Sequence, residues 1–475
     1  MRVLVLNGSP SGEDSITLQT VWFIRQHFKE TKFEVLHVGR RIRSLEKDFS
    51  EAEAALKRAD LILFCYPVYT FLVPAQLHRF IELIKEHGVD LRGKYATQLS
   101  TSKHFYDVTA HQFVQDNCDD LGLRYIRGLS ADMEDLLKVK GQREALEFFR
   151  YVRWCMKNHL CEPRRVPEAP GGGSPDTERA FSEPEETAGE AAGGNAVRGN
   201  SKTAIVADLP AEGGDALREM IRRFERECPM ECVLINIREF PFQGGCLGCF
   251  HCAADGTCIY KDGFDRYLRE HIQNCDAIVY AFTVRDHSMG SRFKMFDDRQ
   301  FCNGHRTVTM GKPVGYLVDG TLSAEANLMT VMEARSQVGG NFLAGIACNE
   351  TDLGIQIRKL AKTLKYAADR KYDPPKNFYG VGGLKVFRDL IWQMQGLMRE
   401  DHRFYKKHGF YDFPQKQRGK MLAMYLVGFM MNNKNIRKKT GSRMREGMLM
   451  PYRNVLKQAE GNLRKKERPA AFRSE

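Results

Sequence analysis

Four cysteines fall within one short stretch, Gly244–Cys258, which reads GGCLGCFHCAADGTC. Cys246, Cys249, Cys252 and Cys258 follow a Cys-x2-Cys-x2-Cys-x5-Cys spacing. Short Cys-x2-Cys steps wrap a loop around a small volume, as four thiolates around an iron–sulfur cubane require. Neighbours this close are poor disulfide partners, because the bridge demands a separation and direction that short loops strain. Zinc also accepts four thiolates, although its structural sites usually pair two separated knuckles. A [4Fe-4S] cluster, zinc and free thiols are therefore the three readings of the loop, with the cluster first. Cys65 and Cys348 stand on apolar stretches and are expected to be core residues.

A second set of residues could hold an anion. GSPSGEDSIT follows a short apolar run and opens a helical pattern. Ser9, Ser15 and Thr17 offer hydroxyls there, Gly8 admits close approach, and a helix N-terminus favours negative charge. The set suits a phosphate monoester. A P-loop lysine is absent from this turn, which argues against nucleoside triphosphate hydrolysis. Further on, CYPVYTFLVPAQ places Pro67, Val68, Tyr69, Thr70 and Phe71 at a strand end, where aromatic rings could flank a flat ligand. STSKHFYD supplies Ser100, Thr101 and Ser102 beside His104 and Tyr106.

These loops need elements to position them. Arg2–Leu6, Phe33–Val38, Ala59–Tyr66, Tyr95–Ser100 and Arg124–Gly128 read as strands, with helical patterns between. ADLILFCY is apolar almost throughout, as a strand buried on both faces should be. The order recurs after residue 201, with strands at Thr203–Asp208, Glu231–Ile237, Ala277–Phe282, Pro313–Asp319 and Phe342–Cys348. Alternating β and α elements predict an α/β protein with two doubly wound parallel sheets. Residues 162–201 are rich in Pro, Gly, Glu and Ala and read as a flexible linker. We therefore expect domains at 1–161 and 202–371, then a helical extension over 372–475. Leu384–His408, Gln417–Asn432 and Gly441–Ala459 are its helical segments, and Gly409 is a helix stop.

The net charge of the 475-residue chain is +12. From Lys371 to Glu475 there are 24 Lys+Arg against 9 Asp+Glu, so the basicity belongs to the extension. Peripheral contact with a membrane surface, nucleic-acid binding and docking of an acidic electron-transfer partner all fit that charge, and no nucleic-acid reader motif separates them. The apolar run Met421–Met431 is too short to span a bilayer. MRVLVLNGSP reads as a strand and turn rather than a secretion signal, so a cytoplasmic protein with reduced thiols is expected.

GSPxxxxSxT followed by PVY at the end of the third strand resembles the flavodoxin-like NAD(P)H-dependent FMN reductase and quinone reductase superfamily, over Met1–Cys161. The resemblance implies that Ser9, Ser15 and Thr17 hold the FMN phosphate. It implies that Pro67, Val68, Tyr69 and Thr70 line the isoalloxazine ring. Ser100, Thr101, Ser102, His104 and Tyr106 would close the other side. Ser11 stands where the family often has a basic residue.

The second half resembles the iron–sulfur flavoproteins of the same superfamily, through the four-cysteine loop and through RFKMFDDR, with Lys294, Phe296, Asp298 and Arg299. Its flavin loops depart from the pattern: ADLPAEGGDA replaces GSPxxxxSxT, and FTVRDHS replaces PVY. A phosphate there would meet Asp208, Glu212 and Asp215 with no hydroxyl. The resemblance thus implies an FMN-dependent oxidoreductase built of two tandem flavodoxin-like units. FMN sits in the first and a [4Fe-4S] cluster in the second. NAD(P)H or a reduced carrier is the donor, and a small molecule or a redox protein the acceptor. A homo-oligomer, an electron-transfer or redox-sensing module without turnover, and a binding scaffold with a relic flavin site are the other expectations.

Overall fold

A computed structural model describes residues 1–164, 199–350 and 352–431. The chain divides into two units, Met1–His408 and Gly409–Glu475. Most of the expected linker and the expected helix at Gly441–Ala459 lie outside the described residues.

The large unit holds eleven described strands. β1 is Arg2–Asn7, β2 Lys32–Leu36, β3 Leu61–Pro67, β4 Tyr95–Ser102, β5 Arg124–Tyr125 and β6 Leu129–Asp132. β7 is Gly199–Ala207, β8 Met230–Asn236, β9 Ala277–Thr283, β10 Pro313–Asp319 and β11 Phe342–Cys348. The first sheet runs β2-β1-β3-β4-β5, with β6 also on β4; the second runs β8-β7-β9-β10-β11. Every ladder is parallel. Both sheets therefore have the 2-1-3-4-5 order of flavodoxin-like folds, which places a ligand crevice at the carboxyl ends beside the first strand. The expected fold class is what the chain adopts.

The helices that matter for the site are α1 (Ile16–His27), α2 (Ala75–Glu86), α3 (Asp107–Asp120), α4 (Val139–Lys157), α5 (Asp215–Glu227), α6 (Gly290–Arg299), α7 (Ala326–Gly339) and α8 (Leu353–Arg370). They are followed by α9 (Phe378–Gln393) and α10 (Arg399–Lys407). Ser15 starts α1 by accepting the Leu18 N–H at 3.4 Å, and Asn377 starts α9 by accepting the Tyr379 N–H at 3.0 Å.

Three cores hold the unit. One lies on the outer face of the first sheet, where Val3, Val5, Leu63 and Cys65 meet Leu18 of α1 and Phe149 of α4. One lies on the outer face of the second, where Ile205, Val279 and Leu317 meet Phe224 of α5 and Leu364 of α8. The largest is continuous between the inner faces: Phe64, Leu77, Phe80 and Phe113 join Phe282, Phe293, Phe296 and Val331 in one cluster. The two sheets thus share a core: α2 buries Leu77 and Phe80 in it and α6 buries Phe293 and Phe296, while hydrogen bonds such as Ala75 N–H to Asp298 and Ser291 Oγ to Glu82 join the two helices directly.

The extension departs from its expected boundary. α9 and α10 belong with the sheets in the large unit, and the division falls after His408. Ile391 of α9 and Tyr405 of α10 are fully buried, which anchors both helices. The expected single helix at Leu384–His408 is interrupted between Gln393 and Arg399, and Gly409 follows α10 at φ +70°, the left-handed stop expected of it. In the smaller unit, Arg418–Met431 forms a helix. No helix among the described residues is long and apolar enough to cross a membrane.

Candidate functional site

A cavity of about 300 Å³ opens at the carboxyl ends of β1, β3 and β4. Its walls include Ser9, Ser15 and Thr17 after β1, Pro67, Val68, Tyr69 and Thr70 after β3, and Thr101 and Ser102 at the end of β4. Thr17 Oγ1 and Thr101 Oγ1 bond at 2.5 Å, tying two of these loops together. Ser100, His104 and Tyr106 are placed elsewhere. Ser100 Oγ faces His111 Nε2 at 2.8 Å. His104 is exposed, with Nδ1 2.8 Å from Asp107 Oδ2. Tyr106 donates to the Tyr379 carbonyl at 2.7 Å and so holds α9 rather than the cavity. Phe71 turns into the core against Phe105 and Tyr106. Gly8 does give close approach, but to Leu77 of α2, whose Cδ2 would lie 2.7 Å from an added Cβ.

All four cysteines of the loop line the same cavity. They come from the segment after β8, so the second sheet delivers them across to the first sheet's loops. The approach is close enough to dictate sequence: a Cβ at Gly248, at φ +61°, would overlap the Tyr69 hydroxyl. Gln76 of α2 donates to the Cys246 carbonyl at 3.3 Å. Cys252 Sγ lies 3.0 Å from the Phe301 carbonyl oxygen. Burial raises the Cys246 thiol and pushes Cys252 up to about 11, so both need a cation beside them to ionise. Among the described residues, no three of these sulfurs lie within 4.8 Å of one another.

Two buried cations organise the junction. Arg299 forms a bidentate pair with Asp262, both bonds 2.8 Å, and donates to the Gly244 carbonyl at 2.8 Å. Its Nη2 is 3.8 Å from Cys258 Sγ, and its guanidinium lies over Tyr260, 4.5 Å from the ring centre. It therefore fixes both ends of the cysteine loop and sets a positive charge beside one thiol. Lys294 and Asp298 of α6 form a pair with no exposure. Lys294 Nζ donates to the Tyr69 carbonyl at 3.0 Å and to Thr70 Oγ1 at 2.7 Å. Asp298 accepts from Thr70 Oγ1 and from the Ala75 N–H at 2.9 Å. The β3 loop needs this support, because Thr70 and Phe71 have φ of +36° and +70°.

The rest of the wall was not legible as a site. Phe301 and His305 come from the turn after α6, and Val386, Phe387 and Leu390 from α9. Phe387 stacks on Phe105 at 4.3 Å and sits edge-on to His305 at 4.6 Å. His305 Nδ1 is 3.0 Å from Asp401 of α10, which is fully buried. For the α9 residues the signal in the sequence was only the helical pattern of Leu384–His408, and Phe301 and His305 carried none. In the second sheet's equivalent crevice, Arg238 Nε holds Asp208 Oδ1 at 2.5 Å, so the carboxylate at that strand end is already neutralised.

An iron-sulfur flavoprotein of Archaeoglobus fulgidus is 28% identical over 174 residues, spanning 35% of this chain and 79% of the relative. Among solved structures, an FMN-dependent NADH-azoreductase of Bacillus anthracis aligns at 13% identity and a TM-score of 0.27, over 32% of this chain and 98% of that one. An NAD(P)H:quinone oxidoreductase of Methanothermobacter marburgensis aligns at 15% and 0.27, over 35% and 99%. β1 to β4 and the first-sheet walls of the cavity, from Ser9 to Ser102, lie within residues 1–117, which match the model of the NADPH-dependent FMN reductase family.

Proposed function

We propose that the chain is an FMN-dependent oxidoreductase in which a [4Fe-4S] cluster on Cys246, Cys249, Cys252 and Cys258 relays single electrons to or from the flavin. One observation supports it most: the flavin-type loops of the first half and the four cysteines of the second line a single cavity. The residues fit both groups. Ser9, Ser15 and Thr17 stand at the N-terminus of α1, where a phosphate monoester is favoured. Four cysteines at this spacing supply the thiolate set that an iron–sulfur centre takes. Arg299 beside Cys258 offsets part of the negative charge that four thiolates bring.

FMN supplies a junction between two-electron exchange with NAD(P)H and one-electron exchange with a cluster. The protein's own contribution is placement. Lys294 and Asp298 hold the Tyr69–Thr70 backbone in its strained form. Phe387 and Leu390 give the cavity an apolar wall from α9. The acceptor is a small molecule or a redox protein, and the proposed site residues are the nine cavity-lining ones named above.

The test is an absorption spectrum of anaerobically purified protein, with iron, zinc and FMN quantified on the same sample. About four irons per chain with bound flavin are expected. In Cys249→Ser/Cys252→Ser the iron should fall to background while FMN stays. Zinc in place of iron, or flavin without metal, would overturn the relay. Steady NAD(P)H oxidation with a quinone is expected of a reductase; reduction that stops after one equivalent of donor would instead assign an electron-transfer module.

A further inference from the structure

The facing helices α2 and α6 are related by a repeat within the chain. The same number of positions separates Tyr69 from Arg285 and Leu72 from Ser288. Tyr69 and Leu72 exchange two backbone hydrogen bonds with each other, at 2.8 and 2.9 Å, and so do Arg285 and Ser288. The same step carries Ala75 to Ser291. The Ala75 N–H donates to Asp298 of the opposite helix at 2.9 Å, and the Ser291 N–H to Glu82 at 2.7 Å. It also carries Thr70 to Asp286, His78 to Lys294 and Glu82 to Asp298. Two mirrored constellations result: Thr70, Lys294 and Asp298 on one side, Asp286, His78 and Glu82 on the other.

They differ in how positive charge is supplied. In the first, the buried Lys294 ammonium sits among Thr70 Oγ1, the Tyr69 carbonyl and Asp298. In the second, the lysine is replaced by the shorter His78 and the threonine hydroxyl by the Asp286 carboxylate, so a negative charge is added where a tethered cation is lost. His78 is fully buried, and neither ring nitrogen has a hydrogen-bond partner. A ring nitrogen of His78 and one oxygen each from Glu82 and Asp286 all lie within 4.8 Å of one another. His78 Nε2 is 3.8 Å from Glu82 Oε1. Arg79 and Ser291 also bond Glu82, and Lys85 reaches Asp286 Oδ1 at 2.7 Å, so the carboxylates are anchored from outside the triad.

We propose that His78, Glu82 and Asp286 bind a divalent transition metal, zinc best of all, in the place that the Lys294 ammonium holds in the mirrored constellation. One imidazole and two carboxylates are donors zinc accepts, and a fourth position is left for solvent. Bonds of about 2.0–2.2 Å would draw the three donors inward. The ion would bind the first half's α2 to the second half's β9–α6 turn. This site is independent of the flavin and cluster reading.

The test titrates the full-length chain with Co2+ and follows its visible spectrum. One equivalent is expected with weak d–d bands and no thiolate charge transfer, which separates it from any ion on the cysteine loop. His78→Lys, which restores the mirrored ammonium, should lose that equivalent while circular dichroism and thermal midpoint are kept. Asp286→Thr, which restores the mirrored hydroxyl, should weaken binding by at least about 100-fold. A wild-type chain without nitrogen- and oxygen-ligated cobalt overturns the site. So does an equivalent that persists in both variants. Should His78→Lys fail to fold, undiminished binding in Asp286→Thr overturns it alone.

Discussion

Lys294 and Asp298 are the residues on which the first-half loop depends most. Removing one charge strands the other in a site without water, a loss of about 3–5 kcal/mol, whereas replacing both with apolar groups can be nearly neutral. Lys294→Met should therefore lower the unfolding midpoint sharply in urea and weaken FMN retention, and Lys294→Met/Asp298→Leu should recover much of the stability but not the flavin. His111 makes a different claim. Burial lowers its imidazole to about 4, from an ordinary 6.5, while Ser100 faces its Nε2. Between those values the unfolded chain takes up a proton that the folded chain refuses, so stability falls as pH drops from 6.5 to 4, by up to about 3 kcal/mol. His111→Gln should flatten that limb in urea titrations run across the range. At this scale the sequence was informative where chemistry is local. Four cysteines within one loop, or serines flanking one turn, can be read in place. Lys294 with Thr70, or Arg299 with Cys258, could not be, because folding supplies the partner from a distant stretch.

The elements were easier to read than their meeting. All-apolar runs such as β3 have one stable use, a strand covered on both faces, and strand order then follows from the alternation with helices. Ser100 and Tyr106 went astray for an element-level reason. β4 continues to Ser102, so Thr101 and Ser102 stand at its carboxyl end and reach the cavity, while Ser100 lies further back, where its hydroxyl meets His111 of α3. The cysteine loop and the β3 loop should be separable by one methyl group. Gly248→Ala meets the Tyr69 hydroxyl and adds about 1–2 kcal/mol of left-handed strain. With the proposed cluster on the cysteine loop, iron content should fall while FMN content holds, and Tyr69→Phe in the same chain should restore part of the iron. Equal loss of both cofactors would show that the loops fold as one.

For the whole molecule, the decisive observation is where the chain divides. A stop after His408 removes only the smaller unit, so thermal stability and flavin content should stay near those of the full chain. A stop after Lys371 strips α9 and α10, exposes Phe105 and His305, and should give a poorly stable product that loses flavin. The first truncation also removes 16 of the chain's Lys+Arg against 5 Asp+Glu. Sedimentation with anionic vesicles, if the full chain shows it, should vanish there and weaken with salt.

The mirrored bonds between α2 and α6 carry one more consequence. In a homodimer each gene change is written onto both faces at once, and a residue useful on one face must be tolerated on its twin. Here the twin positions are encoded separately, so lysine can stand at one and histidine at the other. A substitution can alter either half while the other keeps its residue, and the two matched ends of the contact are free to become different tools.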